Sequence, residues 1–93
     1  MIKSFYDKRT EKVFNRKHVS GVATDASRRA HRKLLILHAC TNINDLRTPP
    51  SNRLEKLHGD REEQHSVRVN RQRRICFEWD GEHAHRVEFT DYH

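Results

Sequence analysis

Histidine and arginine are the side chains in this sequence with the most chemistry in them. The chain has 93 residues, eight of them His, and a net charge of +6 from 19 Lys and Arg against 13 Asp and Glu. Imidazole changes charge nearest to neutral pH, which suits it to proton transfer. Guanidinium grips a phosphate through two parallel hydrogen bonds. His83 and His85 form an H-x-H on a candidate strand, which puts both rings on one side, with His93 on the same parity. No third ligand is close in sequence and no cysteine pair supports them, so no metal site is expected. Cys40 and Cys76 lie far apart and read as reduced, buried, small hydrophobes. His18, His31, His38 and His65 read as surface or core-edge residues.

The cations are unevenly spread. Residues 1–48 hold 11 Lys and Arg against 4 Asp and Glu, a balance of +7, while residues 49–93 hold 8 against 9, a balance of −1. A field concentrated in this way suits a polyanion, most simply nucleic acid; a plain solvated surface gives the same pattern. Arg28, Arg29, Arg32 and Lys33 place like charges four residues apart, at 28/32 and 29/33, where they repel along a helix. Helix stability gains nothing from that arrangement, so it points to a function for these cations.

One domain, residues 1–93, must position these groups. A chain of this size buries roughly 60% or more of its unfolded surface, enough for one modest core. The longest apolar run, Leu34–Leu37, is far short of the ~20 residues of a membrane helix, so no membrane role is expected. Met1–Asp7 lacks the pattern of a signal peptide, and the expected compartment is the cytosol.

Ile2–Tyr6 alternates and predicts a first strand. Asp7 is a candidate N-cap for a helix over Asp7–Lys17, which Ser20-Gly21 breaks. Thr24 or Asp25 caps a second helix that ends near Cys40, with Ala26, Ala30, Leu34 and Leu37 as its apolar stripe. Thr41–Asn52, with Pro49-Pro50, is a loop. The period then changes to two. Strands are predicted over Arg53–Leu57, Gln64–Asn70, Arg74–Trp79 and His83–Tyr92, with turns at His58–Arg61, Asn70–Arg73 and Asp80-Gly81. Val67, Val69, Ile75, Phe77, Trp79, Val87 and Phe89 fall on apolar faces; Phe77 and Trp79 therefore read as core. With the short Arg53–Leu57 run counted apart, the order β-α-α-β-β-β predicts an α+β fold, an antiparallel sheet with two helices on one face. The other face would carry Arg68, Arg74, Arg86 and Tyr92.

Five segments carry a resemblance along the whole chain. Met1-Ile2-Lys3-Ser4-Phe5, Leu57-His58-Gly59-Asp60-Arg61, Ser66-Val67-Arg68-Val69-Asn70, Arg74-Ile75-Cys76-Phe77 and the closing Asp91-Tyr92-His93 resemble, in order and spacing, HigB toxins of the RelE/ParE superfamily. The resemblance implies a microbial-RNase-like fold and a ribosome-dependent endoribonuclease that cuts mRNA in the decoding site. It also implies a HigA-type helix-turn-helix antitoxin as partner. The sequence departs from the family at three places. Many relatives read His-Pro-Leu-Lys where this chain has Glu55-Lys56-Leu57-His58, so Glu55 replaces a catalytic His and His58 a Lys. Many have Trp where this chain has Arg73.

Metal-free RNA cleavage needs a base for the 2′-hydroxyl, an acid for the leaving 5′-oxygen, and cations for the phosphorane. By the resemblance, His93 is the first choice for proton transfer, and its own α-carboxylate favours the imidazolium. Tyr92 would orient the scissile nucleotide, and Asp91 would fix local geometry. Arg74 and Arg68 would hold the phosphate, with Lys56 and His58 at the mouth formed by the turn and Arg73 nearby as an RNA contact. Glu55 is either a base in place of the missing His or a surface carboxylate. Two alternatives share the charge pattern: a gyrase inhibitor of the ParE branch, and a non-catalytic basic nucleic-acid-binding module.

Overall fold

Asp7 ends the N-terminal extended segment and starts the first helix. Its Oδ1 accepts from the Thr10 backbone N–H at 2.9 Å and from the Thr10 hydroxyl at 2.6 Å. The helix α1 spans Lys8–Phe14, in a computed structural model that describes residues 1–61 and 63–91. It is shorter than the predicted Asp7–Lys17 because Arg16 takes a left-handed φ of 61°. Arg16 N–H then bonds the Val13 carbonyl and Lys17 N–H the Lys12 carbonyl, which is the two-bond Schellman closure of a helix end.

The helix α2 spans Thr24–Ala39 and buries Ala26, Ala30, Leu34 and Leu37, the predicted stripe. Its start differs from expectation. Ala23 is the N-cap and makes no side-chain cap bond, while Asp25 sits in the first turn, 3.5 Å from Arg29. The loop that follows contains two short 3₁₀ turns, Ile43–Arg47 and Pro50–Asn52. Buried Asn52 gathers this loop by donating to the carbonyls of Leu46 and Thr48 and accepting from Lys33 Nζ.

Four antiparallel strands follow in spatial order: β1 (Glu55–Lys56), β2 (Gln64–Arg68), β3 (Arg74–Trp79) and β4 (Ala84–Thr90). Their centres match the predicted strands, and the first two and the last are shorter than predicted. Asp80 caps the β3–β4 turn by accepting from Glu82 and His83 N–H, with Gly81 at φ 103°. Val13, Leu34 and Leu37 from the helices meet Val67, Ile75, Phe77, Val87 and Phe89 from the sheet in one core. Trp79 packs edge-on against Phe77, as its strand parity predicts. Both cysteines are free and buried.

Two expectations need correction. Ile2–Tyr6 forms no regular strand; Ile2 and Phe5 make isolated parallel bridges to Ala84 and Val87, so this segment straps the outer edge of β4. Arg86 does not stand with Arg68 and Arg74. It bulges out of β4 at φ 51°, packs over the Tyr6 ring at 5.5 Å, and reaches Glu78 at 3.5 Å. The bulge pairs Glu78 with His85 but Cys76 with Glu88, so odd and even positions exchange faces across it. The parity that grouped His83 and His85 with positions beyond Arg86 therefore fails. His85 instead contacts Asp80 Oδ2 at 2.7 Å.

Candidate active site

Residues directly opposite one another in a sheet share a face. One row of register partners is Arg68, Arg74 and Thr90; the next is Glu55, Ser66, Cys76 and Glu88. Both rows lie on the face away from the helices. Arg68 and Arg74 are thus like charges directly opposite each other, an arrangement that destabilises a sheet until an anion sits between them. Neither arginine is loose. Arg68 Nε donates to the Asn70 carbonyl at 3.1 Å, and Arg74 Nε donates to Ser66 Oγ at 2.8 Å. Arg74 Nη2 donates to the Arg53 carbonyl at 2.7 Å. Arg53 caps the Pro50–Asn52 turn in the left-handed region, at φ 44°, and its carbonyl holds the Arg74 fork.

Glu55 flanks this fork, its carboxylate 4.0 Å from Arg74 and its side chain 56% exposed. Lys56 is the register partner of His65 and so lies on the opposite face from Glu55, apart from the arginine pair. His58 is exposed just ahead of the Gly59–Arg61 turn. Arg61 reaches from that turn across the face and donates to Gln64 and Glu88, both at 3.0 Å. Cys76 is fully buried on this face, and burial pushes its thiol up to about 11, so it is inert as a nucleophile.

Asp91 follows the end of β4 and accepts from Gln72 Nε2 at 3.2 Å. Tyr92 and His93, the other members of the terminal triplet, lie outside the described residues. The strand leading to them is clamped two residues before Asp91. Phe89 N–H donates to buried Thr10 Oγ at 2.9 Å, and Arg9 Nη2 donates to the Phe89 carbonyl at 2.8 Å. Asp7 accepts the Thr10 hydroxyl proton and so aims its lone pair at Phe89. Arg73 also goes to this clamp, with its guanidinium 5.4 Å from the Phe89 ring centroid; it packs there instead of joining Arg68 and Arg74.

Two clefts extend the arginine pair into a basic band. One of about 340 Å³ is lined by Arg53, Glu55, Arg68, Arg71 and Arg74. The other, about 850 Å³, brings Arg29, Arg32 and Lys33 of α2 against Arg68 and Arg71. The clefts share Arg68, Asn70, Arg71 and Gln72. The four helix cations therefore do not act as one group. Arg29 and Arg32 line the band. Lys33 is spent on Asn52, and burial lowers its pKa. Arg28 lines a separate cleft. Sequence reasoning missed Arg53, Arg61, Arg71, Ser66 and Glu88. Ser66 and Glu88 were both readable from alternation. Among the described residues no group of three His, Cys, Asp or Glu is arranged to hold a metal.

Comparison with known proteins identifies the family of the chain. Residues 3–93 match the family described as RelE-like toxin of type II toxin-antitoxin system HigB. The chain is 50% identical over 48 residues to the protein named Toxin HigB-1 of Vibrio cholerae serotype O1, covering 52% of this chain and 50% of that one. It is 39% identical over 62 residues to an uncharacterized protein of Haemophilus influenzae, covering 67% of this chain and 60% of the other. It is 32% identical over 96 residues to the protein named Endoribonuclease HigB of Proteus vulgaris, with both chains covered completely. The matched segments thus span half to three-fifths of the first two relatives and all of the third. A two-helix, four-strand α+β fold, an arginine-rich open face and a family match running almost end to end converge, and the chain belongs to the HigB family of RelE-like type II toxins.

Proposed function

We propose that the chain is a ribosome-dependent endoribonuclease that cuts mRNA in the decoding site and so stops translation in the cytosol. A HigA-type helix-turn-helix antitoxin would neutralise it. The observation that carries this reading is the Arg68–Arg74 pair, facing each other across β2 and β3 with the basic band on one side and Asp91 near the same end of the sheet. Opposed guanidiniums with fixed forks suit a phosphate whose charge rises in the transition state. The relative named an endoribonuclease, aligned over its full length, supports the same chemistry.

In this reading His93 moves a proton, Tyr92 orients the nucleotide and Asp91 fixes the chain end against Gln72. Arg68 and Arg74 stabilise the phosphorane. Glu55 serves Arg74 as a flanking carboxylate, and the exposed His58 contacts the RNA from the turn. Arg29, Arg32, Arg68 and Arg71 track rRNA or mRNA phosphates; Arg28, Lys33, Lys56 and Arg73 lie off that track. The test is cleavage of a defined mRNA, free and on purified ribosomes, with the 5′ ends mapped. Patterned cutting on ribosomes with poor cutting of naked RNA is the expected result. Equal, codon-patterned cutting of naked RNA would contradict ribosome dependence, and inhibition of gyrase without RNA cleavage would contradict the nuclease reading.

A further inference from the structure

A third cleft, of about 660 Å³, opens between α2 and the segment after α1. Its apolar lining includes Val13, Val19, Val22 and Leu35, and its cations are Arg16, Lys17, Arg28 and Arg32. Leu35 is 46% exposed, unusual for a large aliphatic side chain in the middle of a helix of a small polar protein. No Asp or Glu lines the cleft, in a chain that has 13 of them. Among the described residues, none of these four cations has an ion-pair partner. The left-handed Arg16 that closes α1 brings Arg16 and Lys17 to the cleft.

We propose that this cleft is the docking site of the antitoxin, which fills it with a short amphipathic acidic segment. Aliphatic side chains of that segment would cover Val19, Val22 and Leu35, and its carboxylates would meet Arg16, Lys17, Arg28 and Arg32. The proposal rests on the reading of the chain as a toxin with a protein antitoxin. An apolar floor ringed by unpaired cations fits such a segment better than it fits RNA. A phosphodiester backbone would use the cations but leave the aliphatic floor bare. Arg32 lines both this cleft and the basic band and marks the border between them.

The test uses the full chain and the intact antitoxin of the same operon, by titration calorimetry at low and moderate salt. Lys17→Glu with Leu35→Gln changes two exposed positions outside the band, so thermal unfolding and ribosome-dependent cleavage should stay at the wild-type level. Antitoxin affinity should fall at least tenfold, and its salt dependence should flatten. Leu35→Gln alone should weaken binding by a smaller factor. Unchanged affinity in both variants would overturn the assignment of this cleft. Loss of ribosome binding with antitoxin affinity kept would also overturn it, by making the cleft a nucleic-acid surface. A wild-type chain that does not bind the antitoxin at all would overturn the toxin–antitoxin reading beneath it.

Discussion

The two faces of β3 are built on different physics. Toward the helices, Ile75 and Phe77 are fully buried among Leu34, Leu37, Val67, Val87 and Phe89. Contact and exclusion of water hold that face, and neither depends on direction. Toward solvent, Arg74 is held by Ser66 Oγ and the Arg53 carbonyl, and Arg61 by Gln64 and Glu88. These are directional bonds around charges that oppose each other across the strands. The core face is complete without a ligand. The open face is organised but electrostatically unfinished, which is what a site for a phosphate requires.

Truncation should separate the faces most clearly. Phe77→Ala should lower folding stability by about 3–5 kcal/mol, read from the urea midpoint, because it empties one of the two largest fully buried side chains of the core. For a chain this small that is much of the total. Arg74→Ala should do the reverse. Cleavage on ribosomes should fall about 10²-fold, or roughly 2.7 kcal/mol of transition-state stabilisation. Its stability should change by no more than about 1.5 kcal/mol, since the hydrogen bonds lost are offset by relief of repulsion with Arg68. A large stability loss in this variant would mean that the open face is a structural network.

Thr10→Val probes the junction of the two faces. It keeps the shape of the side chain and removes the bonds to Phe89 N–H and Asp7. Stability should fall by about 1–3 kcal/mol, the penalty for leaving the buried Phe89 N–H unsatisfied. Cleavage by the folded fraction should also drop, because the segment leading to Asp91 loses its anchor.

The smallest effect is one of pH. His65 stacks on Phe77 with ring centroids 6.0 Å apart, and its Nδ1 is buried without a hydrogen-bond partner among the described residues. Burial first, then Lys56 and Arg47, lowers its pKa below the ordinary 6.5. The folded chain therefore binds this proton less readily than the unfolded chain. The associated stability is complete above the ordinary pKa and is lost as pH falls through 6.5 toward the lowered value. The urea midpoint should drop between pH 7 and 5.5, and His65→Phe should flatten that drop. An identical pH profile in the variant would place the sensitivity in another group.

The core face was legible in the sequence because burial imposes a period. Ala26, Ala30, Leu34 and Leu37 at helical spacing, and Ile75, Phe77 and Trp79 at strand spacing, fixed which sides meet. The Asp7 cap and the Asp80-Gly81 turn were legible because their chemistry is local. The open face was only half legible. Alternation put Arg68, Arg74 and Glu88 on one side, but the bulge swung Arg86 out of that face and reset the parity of β4 on the side of His85 and Ala84. The division of Arg28, Arg29, Arg32 and Lys33 between two clefts and Asn52 depends on what packs beside α2, which no spacing along the helix encodes. Arg73 matched the position of an aromatic residue in relatives and took a packing role over Phe89. The strap of residues 1–6 alternates like a strand, yet pairs with β4 only at two isolated bridges.

Single-turnover cleavage of ribosome-bound mRNA by His93→Gln and Glu55→Gln tests most directly whether His93 or Glu55 carries the proton transfer. His93→Gln removes the titrating imidazole and keeps a hydrogen-bonding group, so cleavage should fall about 10²-fold with ribosome binding retained. Glu55→Gln, at an exposed carboxylate only 4.0 Å from Arg74, should be mild. A fully active His93→Gln protein beside a severely impaired Glu55→Gln protein would contradict this assignment and move proton transfer to Glu55.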